Sequence, residues 1–393
     1  GRDGEPGSAF GLYPAPVESP RDERAVRPAS GPAAPGLEDW DRSFAEAGAS
    51  PAQFQRLWFH ALRGRPASGP AAQRGAPFGR RLLAEVARFE AELDRAARPL
   101  ERFPSADGAE RLVLGLADGR RVEAVALPSG SACLSSQVGC AVACRFCMTG
   151  QGGLERQLTA FEILACWLRL ARARPLRRAL FMGMGEPAHN LSAVLAAGQA
   201  LAERAELGRH HVVVSSVGDP RLFDRLESGP FRPALALSLH SADPDLRRRL
   251  LPHAAALSPA ELVAAGESYA RRGGYPIQYQ WALLAGVNDS DRELLAAAEL
   301  LRGKRAVLNL IPWNPLPGLP FERPERERCR AAVRLLMQAG ILTKLRWSAG
   351  LEAEAACGQL RSARPAPAPP AQPPEPLASA APGNGARSPG LNG

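Results

Sequence analysis

The residues from 159 to 346 alternate between short apolar runs and longer stretches with the periodicity of amphipathic helices. The apolar runs, which are candidate strands, occupy 179–182, 211–215, 234–239, 276–283, 306–311 and 342–346. The candidate helices occupy 159–173, 191–206, 259–272, 289–301 and 326–339. Such an alternation predicts an α/β fold with a parallel sheet and right-handed crossovers. About six strand–helix units, counted from a strand just before Cys140, predict an open, partial (β/α)6 barrel.

Polar and glycine-rich residues follow several of these candidate strands. The segment 183–187 (Gly-Met-Gly-Glu-Pro) follows one strand, and Ser215 ends the next. The segment 238–240 (Ser-Leu-His) ends a third strand, and Asn314 follows a later one. Each segment alone is equally consistent with an ordinary turn or strand end. Together they predict a site, because functional groups of such folds lie at the carboxyl ends of the strands.

Three cysteines, Cys140, Cys144 and Cys147, form a C-x3-C-x2-C run. Three thiolates at this spacing can hold three irons of a [4Fe–4S] cluster and leave the fourth iron without a protein ligand. The run, with an aromatic residue at Phe146, resembles the pattern of the radical-SAM superfamily, in which that open iron binds S-adenosylmethionine. The alternative is a zinc site, but its fourth ligand would have to be distant, since the first histidine downstream is His189.

Composition narrows the class of protein. The formal net charge is +9, from 49 basic and 40 acidic residues, which favours a polyanionic partner such as nucleic acid. Nearly all the basic residues are arginines, a skew that genomic base composition can also produce. Seven cysteines, several of them clustered, argue against a secreted disulfide framework and favour a reducing cytoplasm. No signal peptide, and no apolar stretch near the ~18 residues of a membrane span, is visible, so no membrane partner is expected.

The chain divides into four predicted segments. Residues 1–37 and 362–393 are rich in proline, alanine and glycine and are predicted to be disordered. Residues 38–100 carry helical patterns at 53–62 and 80–97 and form a predicted small accessory domain. Residues 101–361 form the predicted barrel, preceded by a hairpin over 111–127 whose turn is Asp118-Gly119.

Over about 118–360 the chain resembles the RlmN/Cfr family of radical-SAM RNA methyltransferases, which methylate adenine in 23S ribosomal RNA and in some cases tRNA. The resemblance rests on six motifs: CLSSQVGC at 133–140, the cluster cysteines, GMGEP at 183–187, SLH at 238–240, NLIPWNP at 309–315 and AACGQL at 355–360. It implies RNA binding by the helical accessory domain, and a reductant such as flavodoxin or ferredoxin.

The resemblance also assigns roles to individual residues. It implies that Cys140, Cys144 and Cys147 hold the [4Fe–4S] cluster. It implies that S-adenosylmethionine, used twice per turnover, contacts Gly185, Glu186, Ser215, Ser238, Leu239, His240 and Asn314. It further implies that Cys357 carries the methyl group as S-methylcysteine, that Glu123 accepts a proton, and that Cys133 is the resolving thiol in a transient disulfide with Cys357.

Simpler interpretations exist for several of these residues. Glu123 lies in an alternating strand and could face solvent, and Cys133 and Cys357 could be buried core thiols. The arginine runs at 177–178 and 247–249 are more typical of solvated helix faces than of RNA contacts. Cys166 and Cys329 are predicted to be incidental.

The chain also departs from the family pattern. The segment 346–354 replaces the Arg-Gly-x-Asp-like stretch of the family, and a Pro/Ala tail replaces a basic helix. These changes affect the expected RNA contacts more than the chemical core. The leading hypothesis is therefore methylation of an adenine carbon, with C2 favoured over C8. A radical enzyme acting on another substrate and a non-catalytic iron–sulfur RNA-binding protein are the alternatives.

Overall fold

The structure is a computed structural model that describes residues 36–361, except 255–256 and 274. Its strands are β1 (Arg98–Pro104), β2 (Glu110–Gly115), β3 (Arg121–Ala126), β4 (Ser131–Cys133), β5 (Gln137–Gly139), β6 (Leu154–Gln157), β7 (Arg178–Phe181), β8 (Val212–Ser216), β9 (Ala234–Ser238), β10 (Ile277–Leu283), β11 (Ala306–Pro312) and β12 (Thr343–Leu345). Its α-helices are α1 (Leu37–Glu46), α2 (Pro51–Leu62), α3 (Arg80–Ala96), α4 (Met148–Gln151), α5 (Ala160–Ala173), α6 (Leu191–Glu203), α7 (Pro220–Ser228), α8 (Pro244–Leu250), α9 (Pro259–Gly273), α10 (Asp291–Leu301) and α11 (Arg326–Gln338). Two short 3₁₀ helices cover Pro187–Asn190 and Arg209–His211.

Ten of the described strands form one open sheet in the order β1-β2-β3-β4-β7-β8-β9-β10-β11-β12. From β4 to β12 each neighbouring pair is parallel. In the described part of the chain the two edge strands do not pair, so the barrel stays open. The predicted α/β fold with a partial, parallel barrel is confirmed. The parallel strands place all their carboxyl ends on one edge, where the site lies.

An antiparallel extension precedes the parallel strands. The predicted hairpin is formed by β2 and β3, with Val113 opposite Glu123. At its turn Gly119 has a φ of +83°, a conformation that glycine adopts without strain. Strand β1 pairs with β2 and was not predicted, because it lies at the sheet edge and nearly all its residues are exposed. It begins at Arg98 and therefore crosses the predicted boundary at residue 100.

The helical segment before β1 packs on the barrel. Helix α2 begins at a capping box in which Ser50 Oγ accepts from the main-chain N–H of Gln53. The rings of Trp40 and Phe89 lie 5.2 Å apart, and Trp40 stacks at 6.0 Å on Phe161 of α5. Helix α1 was not predicted. The hydrophobic core runs without a break from this segment into the sheet.

The predicted disorder of 1–37 and 362–393 concerns residues outside the described part of the chain, apart from Gly36 and Leu37, where α1 begins. Across the described residues, the helices are all too short or too polar to span a bilayer.

Candidate active site

A cavity of about 180 Å³ opens at the carboxyl ends of strands β7 to β11. Most of the residues proposed from the sequence line it from different segments: Cys140, Cys144, Cys147, Gly185, Glu186, Ser215, Ser238, His240, Asn314 and Cys357. Glu123, Cys133 and Leu239 lie outside this lining. Segments that are distant in sequence therefore converge on one space.

The three cysteines lie on a loop that begins at a short antiparallel ribbon, β5 with β6. At the end of β5, a Cβ on Gly139 would lie 1.9 Å from the carbonyl oxygen of Gly153, so only glycine fits there. The main-chain N–H of Arg145 donates to Leu250 O at 3.0 Å, and Trp313 Nε1 donates to Phe146 O at 3.0 Å. These bonds hold residues 140–147, the cluster loop, against the barrel.

The donor set of the cluster loop fits an iron–sulfur cluster. All three cysteines are free thiols that line the cavity. Burial raises the pKa of Cys140 to about 12 and that of Cys144 above its ordinary value. A bound metal lowers these pKa values again, because a coordinating thiol loses its proton. Within the described residues no three His, Cys, Asp or Glu side chains surround a single-ion position. A four-iron cluster takes one thiolate per iron, so its ligands need not converge on one point.

Gly185 and Glu186 follow β7 in a tight turn. Gly185 has a φ of +103°, and a Cβ there would lie 2.6 Å from Ser136 Oγ. The carboxylate of Glu186 accepts hydrogen bonds from the main-chain N–H groups of Ala188 at 2.9 Å and Val217 at 3.0 Å. Burial raises the pKa of Glu186 to about 7, and these hydrogen bonds oppose the shift. The turn thus presents a buried carboxylate to the cavity.

His240 follows β9 in an unusual backbone conformation, with a φ of +59°. The main-chain N–H of Ala282 donates to His240 Nδ1 at 2.9 Å, so the neutral ring carries its proton on Nε2. Burial, with the nearby charge of Arg247, lowers the pKa of His240 to about 3. The ring is therefore a neutral donor at the cavity wall. Leu239 differs, since its side chain is fully buried in the core.

Arg247 is a site residue that the sequence analysis missed. It is 4% exposed and donates to four carbonyl oxygens, three at the ends of β8 and β9 and one just before α9. These acceptors are Val217 O at 2.6 Å, Ser238 O at 3.1 Å, Leu239 O at 3.2 Å and Leu257 O at 3.3 Å. The expectation of a solvated helix face is wrong for Arg247, because α8 turns this position toward the carbonyl groups that follow β8 and β9. Its charge also acts on Cys144.

Cys357 lies on a loop, residues 346–361, that is fastened beside the cluster loop. Met148 N–H donates to Gly358 O at 2.8 Å, and Thr149 Oγ1 donates to Leu360 O at 2.6 Å. Asn314 Nδ2 donates to Cys357 O at 2.9 Å. The thiol of Cys357 is exposed to the cavity. Desolvation within the site, followed by the nearby Cys147, raises its pKa above the ordinary value. We call residues 346–361 the Cys357 loop.

Cys133 and Glu123 share the sheet surface that faces this loop. Cys133 pairs with Val125 in the register of β3 and β4, and Glu123 lies two residues before Val125 on the same face. Cys133 lies close enough to Cys357 for their charges to interact. Burial raises the pKa of the Cys133 thiol, and a negative charge on Cys357 would raise it further.

Glu123 is 2% exposed, so the interpretation as a solvated strand residue is wrong. Its Oε1 accepts from Arg111 Nη1 at 2.7 Å, and its Oε2 accepts from the main-chain N–H of Arg361 at 3.4 Å. Burial raises the pKa of Glu123 to about 7, whereas the charge of Arg111 opposes the shift. A carboxylate that titrates near neutrality is suited to accept a proton.

Arg111 is a partner of Glu123 that the sequence analysis did not identify, although the register of the hairpin could have revealed it. An Asp-Gly turn that pairs Val113 with Glu123 also places Arg111 opposite Val125, on the same face as Glu123. A buried, oppositely charged partner was therefore readable from the sequence. The other two extra cysteines lie in the core, Cys166 1% and Cys329 0% exposed.

Comparisons with known proteins identify the family. Residues 134–298 match the model of the Radical SAM superfamily. A probable RNA methyltransferase of Chromobacterium violaceum is 48% identical over 328 residues, which cover 83% of this chain and 93% of that protein. A probable RNA methyltransferase of Pseudomonas aeruginosa is 48% identical over 330 residues, covering 83% of this chain and 94% of that one. The crystal structure of a radical SAM methyltransferase from Sphaerobacter thermophilus matches with a TM-score of 0.74 and 34% identity, over 83% of this chain and 98% of that chain.

Membership of this superfamily implies a [4Fe–4S] cluster and S-adenosylmethionine, which agrees with the three free thiols at the cavity. The relatives cover most of the chain at an identity far above chance. The chain belongs to the RlmN/Cfr-like family of radical-SAM RNA methyltransferases and is an S-adenosylmethionine-dependent methyltransferase.

Proposed function

We propose that this protein methylates an adenine carbon of 23S ribosomal RNA, tRNA or both, with C2 favoured over C8, through a methyl group carried on Cys357. The observation that supports this most strongly is the position of Cys357. Its loop is hydrogen-bonded to Met148 and Thr149, which directly follow the cluster loop, and its thiol lies close enough to Cys147 and to Cys133 for their charges to interact. A thiol in this position can meet both the cofactors and the resolving thiol.

The cofactors would occupy the cavity described above. Cys140, Cys144 and Cys147 would hold the cluster. Contacts to S-adenosylmethionine would come from Gly185, Glu186, Ser215, Ser238, His240 and Asn314, with Leu239 limited to its main chain. When bound, the cluster and two molecules of S-adenosylmethionine per turnover would supply one methyl group and one carbon radical. A reductant such as flavodoxin or ferredoxin would supply the electron.

The reaction needs a carrier because adenine C2 and C8 are not nucleophilic. Cys357 Sγ is nucleophilic as a thiolate and can accept a methyl group as S-methylcysteine. After the methyl carbon has bonded to adenine, the RNA is joined to the protein through the Cys357 sulfur. The chain must then release it.

Release requires a base and a second thiol. Glu123 would accept the proton from the attacked adenine carbon, and its pKa of about 7 matches that task. The Cys133 thiolate would attack the Cys357 sulfur and form a disulfide, while the pair of electrons of the broken carbon–sulfur bond stays on the CH2 carbon, which takes up a proton to become the methyl group. Alkylated Cys357 carries no negative charge, which removes one cause of the raised pKa of Cys133. A reductant would then restore both thiols.

RNA as the substrate is supported by the names of the relatives and by the net charge of +9. We further propose that the helical segment 38–100 contributes to RNA binding. Its hydrophobic core is continuous with that of the barrel, so the segment is packed beside the proposed site-bearing fold.

The proposal is tested by trapping the covalent adduct. The Cys133→Ala variant, with its cluster reconstituted, should accumulate an adenosine-linked Cys357 peptide that mass spectrometry detects. The Cys329→Ala variant is the matched control, because it removes a buried cysteine that does not line the cavity, and it should accumulate none. Absence of the adduct under turnover conditions in Cys133→Ala would refute the proposal. The position of the adducted nucleotide identifies the RNA.

A further inference from the structure

Trp347 is distinguished from the other tryptophans by its exposure. It is 44% exposed, whereas Trp40, Trp58, Trp167 and Trp281 are 0% exposed and Trp313 is 5% exposed. Burying a ring of this size is strongly favourable, so an exposed tryptophan is a common sign of a binding surface. None of the roles proposed above uses it.

One face of the Trp347 ring is already covered by a cation. The guanidinium carbon of Arg326, the first residue of α11, lies 5.3 Å from the ring centroid. This is a cation–π contact. Among the described residues no carboxylate forms an ion pair with Arg326, so its charge is free to act on a ligand.

Trp347 lies next to the residues that hold Cys357. Its neighbour Ser348 accepts a hydrogen bond from Asn314 Nδ2 at 2.9 Å, and the same nitrogen donates to Cys357 O at 2.9 Å. Its other neighbour, Arg346, donates to Asn309 Oδ1 at 2.7 Å, and the charge of Arg346 acts on Cys357. Asn309 is 0% exposed and its Nδ2 has no hydrogen-bond partner.

We propose that Trp347 and Arg326 form a stacking site for an unpaired RNA base that neighbours the target adenine. The inference rests on the proposed function, since it assumes that RNA reaches Cys357. A ring backed by a guanidinium is a sequence-tolerant platform for a base, and Arg326 and Arg346 complement the adjacent phosphates. An apolar protein partner would have no use for these two cations.

The proposal also narrows the class of substrate. A base can stack on Trp347 only if it has left its own helix. Recognition of this kind is typical of loops, bulges and single-stranded ends of RNA. The base that neighbours the target adenine is therefore unpaired, and it binds beside the cavity, next to Ser348.

The test measures RNA binding by the full-length protein with its cluster reconstituted. The probe is a fluorescein-labelled 12-nucleotide single-stranded RNA, followed by fluorescence anisotropy at several salt concentrations. Trp347→Ala should raise the Kd by about 5- to 150-fold without changing the salt dependence, because the indole carries no charge. Trp347→Phe should retain most of the affinity. Leu295→Ala is the matched control, since Leu295 on α10 is 42% exposed, and it should bind normally.

A second readout is the intrinsic fluorescence of Trp347, which the stacked base should quench in the wild type and not in Trp347→Phe. An unchanged Kd in Trp347→Ala together with no quenching would overturn the stacking site. The stacking site would also be overturned if Trp347→Ala left the Kd unchanged but abolished a dimer that the wild type forms in sedimentation. That result would assign the surface to a second copy of the chain. If the stacking site fails but Cys133→Ala still accumulates an adduct on Cys357, the proposed function remains supported. Normal Trp347-dependent binding without any adduct would support the stacking site and refute only the carbon methylation.

Discussion

The Asn314→Ala variant tests whether Asn314 positions Cys357. The side chain is 2% exposed and its Nδ2 donates to Cys357 O and to Ser348 Oγ, both on the Cys357 loop. Two neutral hydrogen bonds stabilise the docked loop by roughly 2 kcal/mol, at about 1 kcal/mol each. Local opening of the loop should therefore become about 30-fold more frequent. The bonds from Met148 and Thr149 remain, so the loop stays docked on average.

Hydrogen exchange followed by mass spectrometry measures this opening directly. In Asn314→Ala, amides of peptides within 346–361 should exchange about 30-fold faster, while those of β8 and β9 keep their rates. The Ser348→Ala control keeps the bond to Cys357 O, so its acceleration should be only about 5-fold. Cys357 methylation should slow in the same order as loop opening. Unchanged exchange in 346–361, or equal acceleration throughout the protein, would refute a positioning role for Asn314.

Three further predictions concern a buried carboxylate, a glycine and an arginine. Burial raises the folded pKa of Glu123 from 4.5 to about 7, so its contribution to stability is present below pH 4.5 and is lost as pH rises through 7. Between pH 5 and 8 the wild type should therefore lose about 3 kcal/mol of unfolding free energy, seen as a falling melting temperature, and Glu123→Gln should lose much less. The same pH dependence in both proteins would contradict the raised pKa of Glu123. Gly185→Ala introduces a Cβ 2.6 Å from the nearest side-chain atom at a φ of +103°, which should cost roughly 2–5 kcal/mol in urea unfolding. Gly119→Ala, with a similar φ of +83° but nothing within 4 Å, should cost only about 1 kcal/mol. Arg247→Ala leaves four carbonyl groups without their donor and should lower the free energy of unfolding by about 3–5 kcal/mol, with impaired cluster loading. Arg248→Ala, whose side chain is 73% exposed, should stay within about 0.5 kcal/mol of the wild type, and equal effects would refute the buried role.

The parallel sheet, its longer helices α5, α6, α9, α10 and α11, and the hairpin were predictable from the sequence because their signals are local. The strands are apolar runs, these helices have a 3.6-residue period, and Asp118-Gly119 marks a turn. The shorter helices α7 and α8 were not predicted. Strand β1 was not predictable in this way. Its residues are mostly exposed, so it has no apolar alternation to reveal it.

The cavity at the carboxyl ends of the strands followed from topology. Ser215, Ser238, His240 and Asn314 end or follow strands, and parallel strands bring those ends together. The same logic did not distinguish a lining residue from its neighbour. Leu239 lies between two lining residues, yet its side chain points into the core.

The arginine run at 247–249 shows the limit of pattern reading. Arg247 and Arg248 are chemically identical and adjacent, but one is 4% exposed and the other has a side chain 73% exposed. Helix α8 has only seven residues, too few for its periodicity to identify the buried face. Packing of α8 against the ends of β8 and β9 decided which arginine is buried.

By itself the sequence determined most of the parallel strands, the longer helices between them, their order, the cysteine spacing and the resemblance to a family, because each of these is written in short stretches of chain. Only the tertiary structure decided that the Cys357 loop lies against the cluster loop and closes on Glu123, a contact across 238 positions. It also decided that Arg247 is buried and Trp347 exposed. The physical reason is that periodicity reports how a residue is placed on its own element, whereas burial and contact depend on which other element packs against it.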